Sequence, residues 1–263
     1  MCIEKDENIM AKIIKEARTL TIALLLGHAR VIDNYLVLKH NDKEYLNHIR
    51  ILLKKYNINT SEVVDFQDKN QQLKHSTFED FAVDEHELEL MRNNDFTQFP
   101  RYAIRTYKHT FLSVYRKMTY GGKLRRRWFN RFTSLHLAIL YMEIGSLIYK
   151  KDNGKITTVN LILKTKTTPE YNQVLIEYLK DEWKLDFYQK KYYGKYIVCC
   201  GLNTAKEFIR IIGRYICPSM EYKINLDKTD LPEIENNMEF DNVLEDANLP
   251  DTVIDGTIVI NTY

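Results

Sequence analysis

Hydrophobic and polar residues follow the same order of patterns twice along the chain. In the first passage, apolar residues recur at helical spacing over Ala11–Gly27, alternate with polar residues over Arg30–Leu38, and return to helical spacing over Asp42–Tyr56. In the second passage, the same three patterns cover Ser134–Gly145, Lys155–Lys166 and Pro169–Trp183. Helical spacing predicts helices and alternation predicts strands. We therefore predict two helix–strand–helix repeats, an α+β pseudo-dimer within one chain.

Each predicted repeat continues with an extended, Tyr-rich segment and a closing helix. These segments are Tyr102–Thr106 and Phe111–Met118 in the first repeat, and Tyr192–Cys200 and Ala205–Cys217 in the second. The Gly121-Gly122 pair interrupts regular structure within a linker over 120–131. We place the first repeat at residues 9–122 and the second at residues 123–226, with the basic linker at its start. A tail follows at residues 227–263.

Composition and short motifs bound the class of protein. The chain is 44% hydrophobic, which is enough for a packed core and excludes a globally disordered protein. No apolar run approaches the roughly 18 residues of a membrane-spanning helix. The N-terminus lacks the apolar region of a secretory signal, so we expect an intracellular protein without a membrane partner. The four cysteines form no C-x-x-C pair, and we predict neither disulfides nor a zinc site.

Charge is divided unevenly along the chain. Residues 227–263 contain one basic residue, Lys228, and ten acidic ones, which gives this tail a net charge of about −9 and leaves residues 1–226 at about +11. We expect the tail to be disordered until it is bound. Basic residues before the tail are interleaved with aromatic ones, a composition typical of nucleic-acid-binding surfaces, because cations contact phosphates and rings stack on bases. A solvated, lysine-rich face is the alternative interpretation.

Two segments resemble the paired motif helices of the LAGLIDADG homing endonuclease family. They are Leu135–Leu147, with the sequence LHLAILYMEIGSL, and Leu20–Ala29, with the sequence LTIALLLGHA. The segment Tyr215–Lys223, YICPSMEYK, resembles the usual end of the second repeat, and the resemblance covers residues 9–224. It implies two motif helices side by side at a pseudo-twofold axis. It also implies curved antiparallel sheets that form a saddle on the nucleic acid.

The resemblance implies a degenerate catalytic centre. Family members carry an acidic residue at the foot of each motif helix, immediately before the glycine, and these acids bind the divalent metals used in cleavage. The matching positions here are His28 and Ile144, neither of which supplies the oxygen ligands that Mg²⁺ prefers. Glu143 is the remaining catalytic candidate, although it lies about 100° round the helix from Ile144. A solvated or salt-bridged carboxylate is the other interpretation of Glu143.

Basic and aromatic residues supply the candidate nucleic-acid contacts. On the predicted linker we expect Lys123, Arg125, Arg126 and Arg127 to contact phosphates. On the outward faces of the predicted sheets we expect contacts from Tyr35, Lys39, Arg105, Lys164, Lys166 and Lys195. Trp128 either packs under the linker or stacks on a base.

Three functions remain open from the sequence. The first is a catalytically inactive binding protein derived from a homing endonuclease, acting as a regulator, a splicing maturase or a ribonucleoprotein component, and needing no cofactor. The second is an active, Mg²⁺-dependent, site-specific DNA endonuclease. The third is a protein-interaction module whose basic surface is masked by its own tail or by a partner of that tail. The expected ligand is double-stranded DNA or, for the binding protein, structured RNA, and we expect a monomer.

Overall fold

The structure, a computed structural model, describes residues 2–68, 81, 83, 89, 100–115, 125–152, 155–165, 167–192 and 194–226. One compact unit contains the described residues and ends at Leu226, and the acidic tail, residues 227–263, lies outside the described residues. In the part that is described, no helix has both the length and the apolar character needed to cross a membrane.

The first repeat contains two helices and a four-stranded antiparallel sheet. Its elements are α1 (Cys2–Leu26), β1 (Arg30–Ile32), β2 (Tyr35–His40), α2 (Lys43–Lys55), β3 (Val64–Asp65), β4 (Tyr102–Arg105) and a 3-10 helix over Thr110–Tyr115. The strand order is β1-β2-β4-β3. Asp42 caps α2, because its carboxylate accepts the Tyr45 backbone N–H at 2.9 Å.

The second repeat has the same order of elements. A short helix, α3 (Arg126–Phe129), precedes α4 (Ser134–Ile144), β5 (Gly145–Asp152), β6 (Lys155–Leu163), α5 (Pro169–Trp183), β7 (Tyr188–Tyr192), β8 (Lys195–Cys200), α6 (Leu202–Ile212) and two 3-10 helices, Gly213–Tyr215 and Pro218–Lys223. The sheet order is β5-β6-β8-β7, and every pairing is antiparallel. The predicted α+β fold with two repeats is therefore confirmed.

Three predicted elements differ from the structure. The expected strand over Arg30–Leu38 is a hairpin, because Asp33 (φ 45°) and Asn34 (φ 69°) form the turn between β1 and β2. Asn and Asp tolerate positive φ better than other non-glycine residues, so they suit such a turn. In the second repeat, Gly194 (φ 73°) likewise divides the expected segment Tyr192–Cys200 between β7 and β8. The expected helix over Phe111–Met118 is a 3-10 helix up to Tyr115, and its last three residues lie outside the described part.

The main apolar core lies between the helices and one face of each sheet. Leu36 and Leu38 contribute from β2, and Leu161 and Leu163 from β6, while Ile104, Val198 and Cys200 extend the same face across β4 and β8. Because side chains alternate across a strand, the residues between these positions point to the opposite face. This second face is called the outward face below.

Candidate nucleic-acid interface and its centre

The two motif helices, α1 and α4, pack directly against each other, and glycine is required at one point of their contact. A Cβ atom added to Gly27, the residue after α1, would lie 2.5 Å from the Cβ atom and 2.7 Å from the Oε2 atom of Glu143. Ala23 on α1 and Ala138 on α4 are fully buried. Small residues therefore let the two helices approach closely.

Glu143 connects the ends of both motif helices through one carboxylate. Its Oε2 atom accepts hydrogen bonds from the His28 backbone N–H at 2.9 Å and from His28 Nδ1 at 3.0 Å. Its Oε1 atom accepts the Tyr45 hydroxyl at 2.5 Å. The Glu143 side chain has no exposed surface, whereas that of His28 is 41% exposed. The structure thus shows Glu143 as a buried, hydrogen-bonded carboxylate rather than a solvated one.

Hydrogen bonds keep the Glu143 carboxylate ionised inside the protein. Burial alone would raise the pKa of Glu143, but the hydrogen bond and charge of His28 and the hydrogen bond from Tyr45 lower it overall. The pKa of the Tyr45 hydroxyl is raised well above its usual value, first by burial and then by the Glu143 charge. A neutral phenol that donates to an anionic carboxylate is therefore the stable arrangement.

His40 is a neutral neighbour of this carboxylate. Burial lowers the pKa of His40 to about 4, and the charges of Lys223 and His28 lower it further, against the opposing effect of Glu143. The His40 Nδ1 atom accepts the Asp42 backbone N–H at 2.9 Å, which places the imidazole proton on Nε2. The His40 ring also packs on the Tyr45 ring at 4.8 Å between centroids. His40 thus holds Tyr45 in place without adding charge.

A lysine from the end of the second repeat completes the centre. The Lys223 ammonium group donates to the Met142 carbonyl oxygen at 2.6 Å, at the C-terminal end of α4. Burial lowers the pKa of Lys223 to about 8, with the Lys164 charge acting in the same direction and Glu143 opposing it. Desolvation also lowers the pKa of Lys164, which directly follows β6. The Lys223 charge therefore lies near the buried Glu143 carboxylate, and the Lys164 charge lies near Lys223.

The second motif position has an apolar environment. Ile144 is 5% exposed and lines a small pocket with Leu26, Leu140 and Leu175. Phe129, Thr165 and Thr167 also line this pocket, and both threonine hydroxyl groups donate to Asn172 Oδ1. A carboxylate at this position would lose solvation without gaining a partner among those leucines.

The centre does not fit the divalent metal that the family implies. Ile144 has no ligand atom, and three donors from His28 and Tyr45 already occupy the Glu143 oxygens. The nearby Lys223 ammonium group would repel a cation. Within the described residues, no cluster of three or more His, Cys, Asp or Glu side chains could hold a metal ion.

The first sheet places three predicted contact residues together on its outward face. Tyr35 and Lys39 alternate with the core residues of β2, and Arg105 alternates with Ile104 on β4. All three are half-buried. The Arg105 guanidinium group lies 4.6 Å from the centre of the Tyr35 ring, a cation–π contact. These residues share one face, although Arg105 also has partners within the protein.

The other predicted contacts are more dispersed. Lys164 and Lys195 are exposed, at the end of β6 and the start of β8. The described residues do not include Lys123 or Lys166.

The linker arginines do not form one surface. Arg125 and Arg127 are exposed. Arg126 instead bonds Asp181 Oδ2 at 3.1 Å and Glu182 Oε1 at 2.9 Å on α5. Its guanidinium group also lies 5.1 Å from the centre of the Tyr178 ring. Trp128 is half-buried against the main core, which matches its interpretation as a packing residue.

Sequence reasoning missed Tyr45, His40 and Lys223 as members of the centre. They lie far from Glu143 in the sequence and come close only when α2 and the last 3-10 helix fold against α4. For Tyr45, helical spacing after Asp42 indicates a buried position but not its partner. No sequence signal distinguishes Lys223 from the other lysines.

Paired helix–strand units with the two motif helices in contact define a two-repeat, LAGLIDADG-type α+β protein. The profile of the LAGLIDADG DNA endonuclease family matches residues 20–208, and the chain belongs to that family. No curated protein matches the chain.

One solved structure gives the same fold, and two others are less similar. The homing endonuclease I-WcaI, bound to its DNA recognition sequence, is 17% identical with a TM-score of 0.56, covering 81% of this chain and 88% of that one. Full-length DUF199/WhiA from Thermatoga maritima is 11% identical with a TM-score of 0.44, and the match covers 75% of this chain and 55% of that one. A variant of I-DmoI with its target DNA and manganese is 11% identical with a TM-score of 0.41, and the match covers 78% of this chain and 98% of that one.

Proposed function

We propose that this chain is a nucleic-acid-binding protein of the LAGLIDADG family that binds double-stranded DNA and does not cleave it. The observation that carries this proposal is the His28–Glu143–Tyr45 network. The one carboxylate at the foot of the motif helices is buried and fully hydrogen-bonded, and the opposite motif position is the apolar Ile144. A two-strand cleavage centre needs metal-bound oxygens for both attacking and leaving groups.

Binding is supported by the outward faces and by the charge at the centre. Tyr35, Lys39 and Arg105 share the outward face of the first sheet, and Lys164 and Lys195 lie at strand ends of the second sheet. Antiparallel strands can enter the major groove, where their side chains reach base edges and phosphates. The I-WcaI structure, which shares the fold, is a complex with DNA.

Loss of the metal ligands also favours binding without metal. Family members need divalent cations between their acidic residues and the DNA phosphates. Here Lys223 places positive charge near the buried Glu143 carboxylate, and Lys164 adds positive charge near Lys223. A phosphate near this centre would therefore meet protein cations directly, and its binding would release counterions.

The biological role depends on the polymer that is bound. A set of duplex DNA sites would make the protein a regulator, whereas a structured RNA would make it a splicing maturase or a ribonucleoprotein component. We favour duplex DNA because of the family to which the chain belongs. The two repeats in one chain make a monomer sufficient for this binding, and a protein partner for the acidic tail stays a prediction.

The proposal is tested by selection followed by cleavage. Duplex DNA with a randomised central segment is selected on the full chain in EDTA, and the selected duplex is then incubated with the protein and Mg²⁺ or Mn²⁺. We expect tight, salt-dependent binding and intact DNA. Metal-dependent cutting that Glu143→Gln abolishes would establish the active endonuclease instead. Preference for structured RNA over every selected duplex would overturn the choice of DNA.

A further inference from the structure

The imidazole ring of His28 has one edge inside the centre and the other edge in solvent. Its Nδ1 atom lies 3.0 Å from Glu143 Oε2, and the Glu143 side chain has no exposed surface. The His28 side chain is nevertheless 41% exposed. Because Nδ1 is turned to the buried carboxylate, the exposed part of the ring is the edge that carries Nε2. Within the described part of the chain, the His28 side chain forms no other hydrogen bond.

The carboxylate fixes which nitrogen of this ring carries the proton. Glu143 is ionised, and its two oxygens also accept hydrogen bonds from the His28 backbone and from Tyr45. An ionised carboxylate only accepts, so Nδ1 donates in the bond between His28 and Glu143. In a neutral imidazole, the other nitrogen then has a lone pair in place of a proton. The exposed Nε2 atom therefore repels an anion until the ring binds a second proton.

His28 lies between predicted nucleic-acid contacts of the two sheets. On the second sheet, the Lys164 backbone N–H donates to the Ile144 carbonyl oxygen at 2.9 Å, so the end of β6 lies at the foot of α4. On the first sheet, the charge of His28 acts on His40, which directly follows Lys39 on β2. DNA that contacts both Lys39 and Lys164 therefore passes close to the exposed edge of His28.

Five other titratable side chains surround the pair of His28 and Glu143. They are Asp42 at the cap of α2, Tyr45 on α2, His40 on β2, Lys223 of the last 3-10 helix and Lys164 after β6. Between about pH 5.5 and 7, carboxylates, phenols and exposed ammonium groups keep their charge. Burial lowers the pKa of His40 to about 4 and that of Lys223 to about 8, so both also keep their charge in this range. Of these groups, an exposed imidazole is the one that changes charge here.

We propose that His28 binds a backbone phosphate of the bound DNA through Nε2, and that its ring takes up one proton from solvent when it does so. This inference rests on the proposed DNA binding. The Glu143 carboxylate stabilises the imidazolium ion from the buried side, and the phosphate stabilises it from the exposed side. The ring then donates one N–H group to each anion. The positive charge at the first motif position thus comes from a bound proton.

The number of protons taken up on DNA binding tests this inference. A duplex selected on the full chain in EDTA is titrated into the protein by calorimetry at about pH 6.5, in two buffers with different ionisation enthalpies. We expect wild type to take up about half a proton more than His28→Gln, because an ordinary imidazole is about half protonated near this pH. The affinity of wild type should also fall about fourfold between about pH 5.5 and 7, and this fall should be absent from His28→Gln.

Two further variants are the controls. His28→Arg keeps a positive charge over the whole pH range, so it should bind DNA without proton uptake and with an affinity that does not fall towards pH 7. His48→Gln removes a half-buried histidine of α2, and it should keep the proton uptake of wild type. Circular dichroism of each variant shows whether the fold is retained.

The possible results separate this inference from the proposed function. DNA binding with equal proton uptake in wild type and His28→Gln would overturn the phosphate contact and leave the proposed binding intact. The same conclusion would follow if the affinity of wild type stayed constant over this pH range, or if His48→Gln abolished the proton uptake. No binding to any duplex at any of these pH values would overturn both.

Discussion

The buried Glu143 carboxylate is expected to stabilise the fold, and its replacement measures this role. In Glu143→Ala, the His28 backbone N–H and the buried Tyr45 hydroxyl lose their acceptor, while the exposed His28 ring can bind water. Each unsatisfied buried donor costs about 1–3 kcal/mol. With the cavity that remains, we expect a loss of about 3–5 kcal/mol in the free energy of unfolding.

Glu143→Gln is the matched variant because it keeps the shape of the side chain. Its carboxamide oxygen can accept from His28, and its amide group can donate to the Tyr45 hydroxyl if that hydroxyl reverses. We therefore expect a smaller loss of about 1–2 kcal/mol, from the missing charge. Tyr45→Phe removes only the hydrogen bond from Tyr45 to Glu143. In the double variant with Glu143→Gln, the loss of stability should be smaller than the sum of the two single losses, because both changes affect this hydrogen bond.

The pH dependence gives an independent check on the same reasoning. The pKa of Glu143 is lowered in the folded state, so its contribution is complete above the unfolded-state pKa and is lost as the pH falls through the folded-state value. The difference between wild type and Glu143→Gln should be full at neutral pH and should shrink below about pH 4. Urea denaturation, followed by circular dichroism, measures the free energy of unfolding of both proteins at each pH. If Glu143→Ala cost under about 1 kcal/mol at neutral pH, the structural role would be refuted.

Four further predictions follow from the described residues. Burial lowers the pKa of His136 to about 4, so the unfolded state binds a proton that the folded state does not, and the wild type loses stability as the pH falls from about 6.5 to 4. His136→Gln has no such group, so its free energy of unfolding, measured by urea denaturation, should rise by about 3 kcal/mol relative to that of the wild type over this range. Gly27→Ala should lower stability by about 1–3 kcal/mol in the same assay, because the new methyl group meets Glu143, and an unchanged midpoint would contradict this contact. Arg126→Ala should leave the salt dependence of DNA binding unchanged in fluorescence anisotropy, since its guanidinium group is paired with acids, whereas Arg127→Ala should reduce the slope by about one. DNA affinity should be the same in EDTA and in Mg²⁺ at matched ionic strength, and a large gain in Mg²⁺ would indicate a metal between protein and phosphate.

Much of the fold follows from local patterns. Pro169–Trp183 was predicted with its observed bounds, because Pro at a first helical turn and apolar spacing agree. The β1–β2 hairpin was not predicted, because the Asp33-Asn34 turn lacks glycine and lies inside a continuous alternating pattern. β5 was also missed, since it follows α4 at Gly145 with no intervening loop.

The centre was only partly accessible from the sequence. Motif spacing identified His28, Glu143 and Ile144, because they lie at fixed positions on two recognisable helices. The contacts of Tyr45 and Lys223 depend on tertiary packing between segments separated by 98 and 81 residues from their partners. For Arg126 the sequence prediction was misleading. A run of basic residues predicts cations that face the solvent, but Arg126 forms ion pairs with Asp181 and Glu182 on α5.

The geometry of Glu143 argues that metal binding and the present packing exclude each other. A carboxylate that accepts three hydrogen bonds inside the protein has few lone pairs left, and a metal would have to displace His28 or Tyr45 to reach it. Displacing Tyr45 would leave a fully buried hydroxyl without its acceptor. Displacing His28 would break the link between the two motif helices. The substitution at the first motif position and the burial of Glu143 therefore support each other: the histidine uses the carboxylate as a structural partner, and the proposed loss of cleavage rests on that contact.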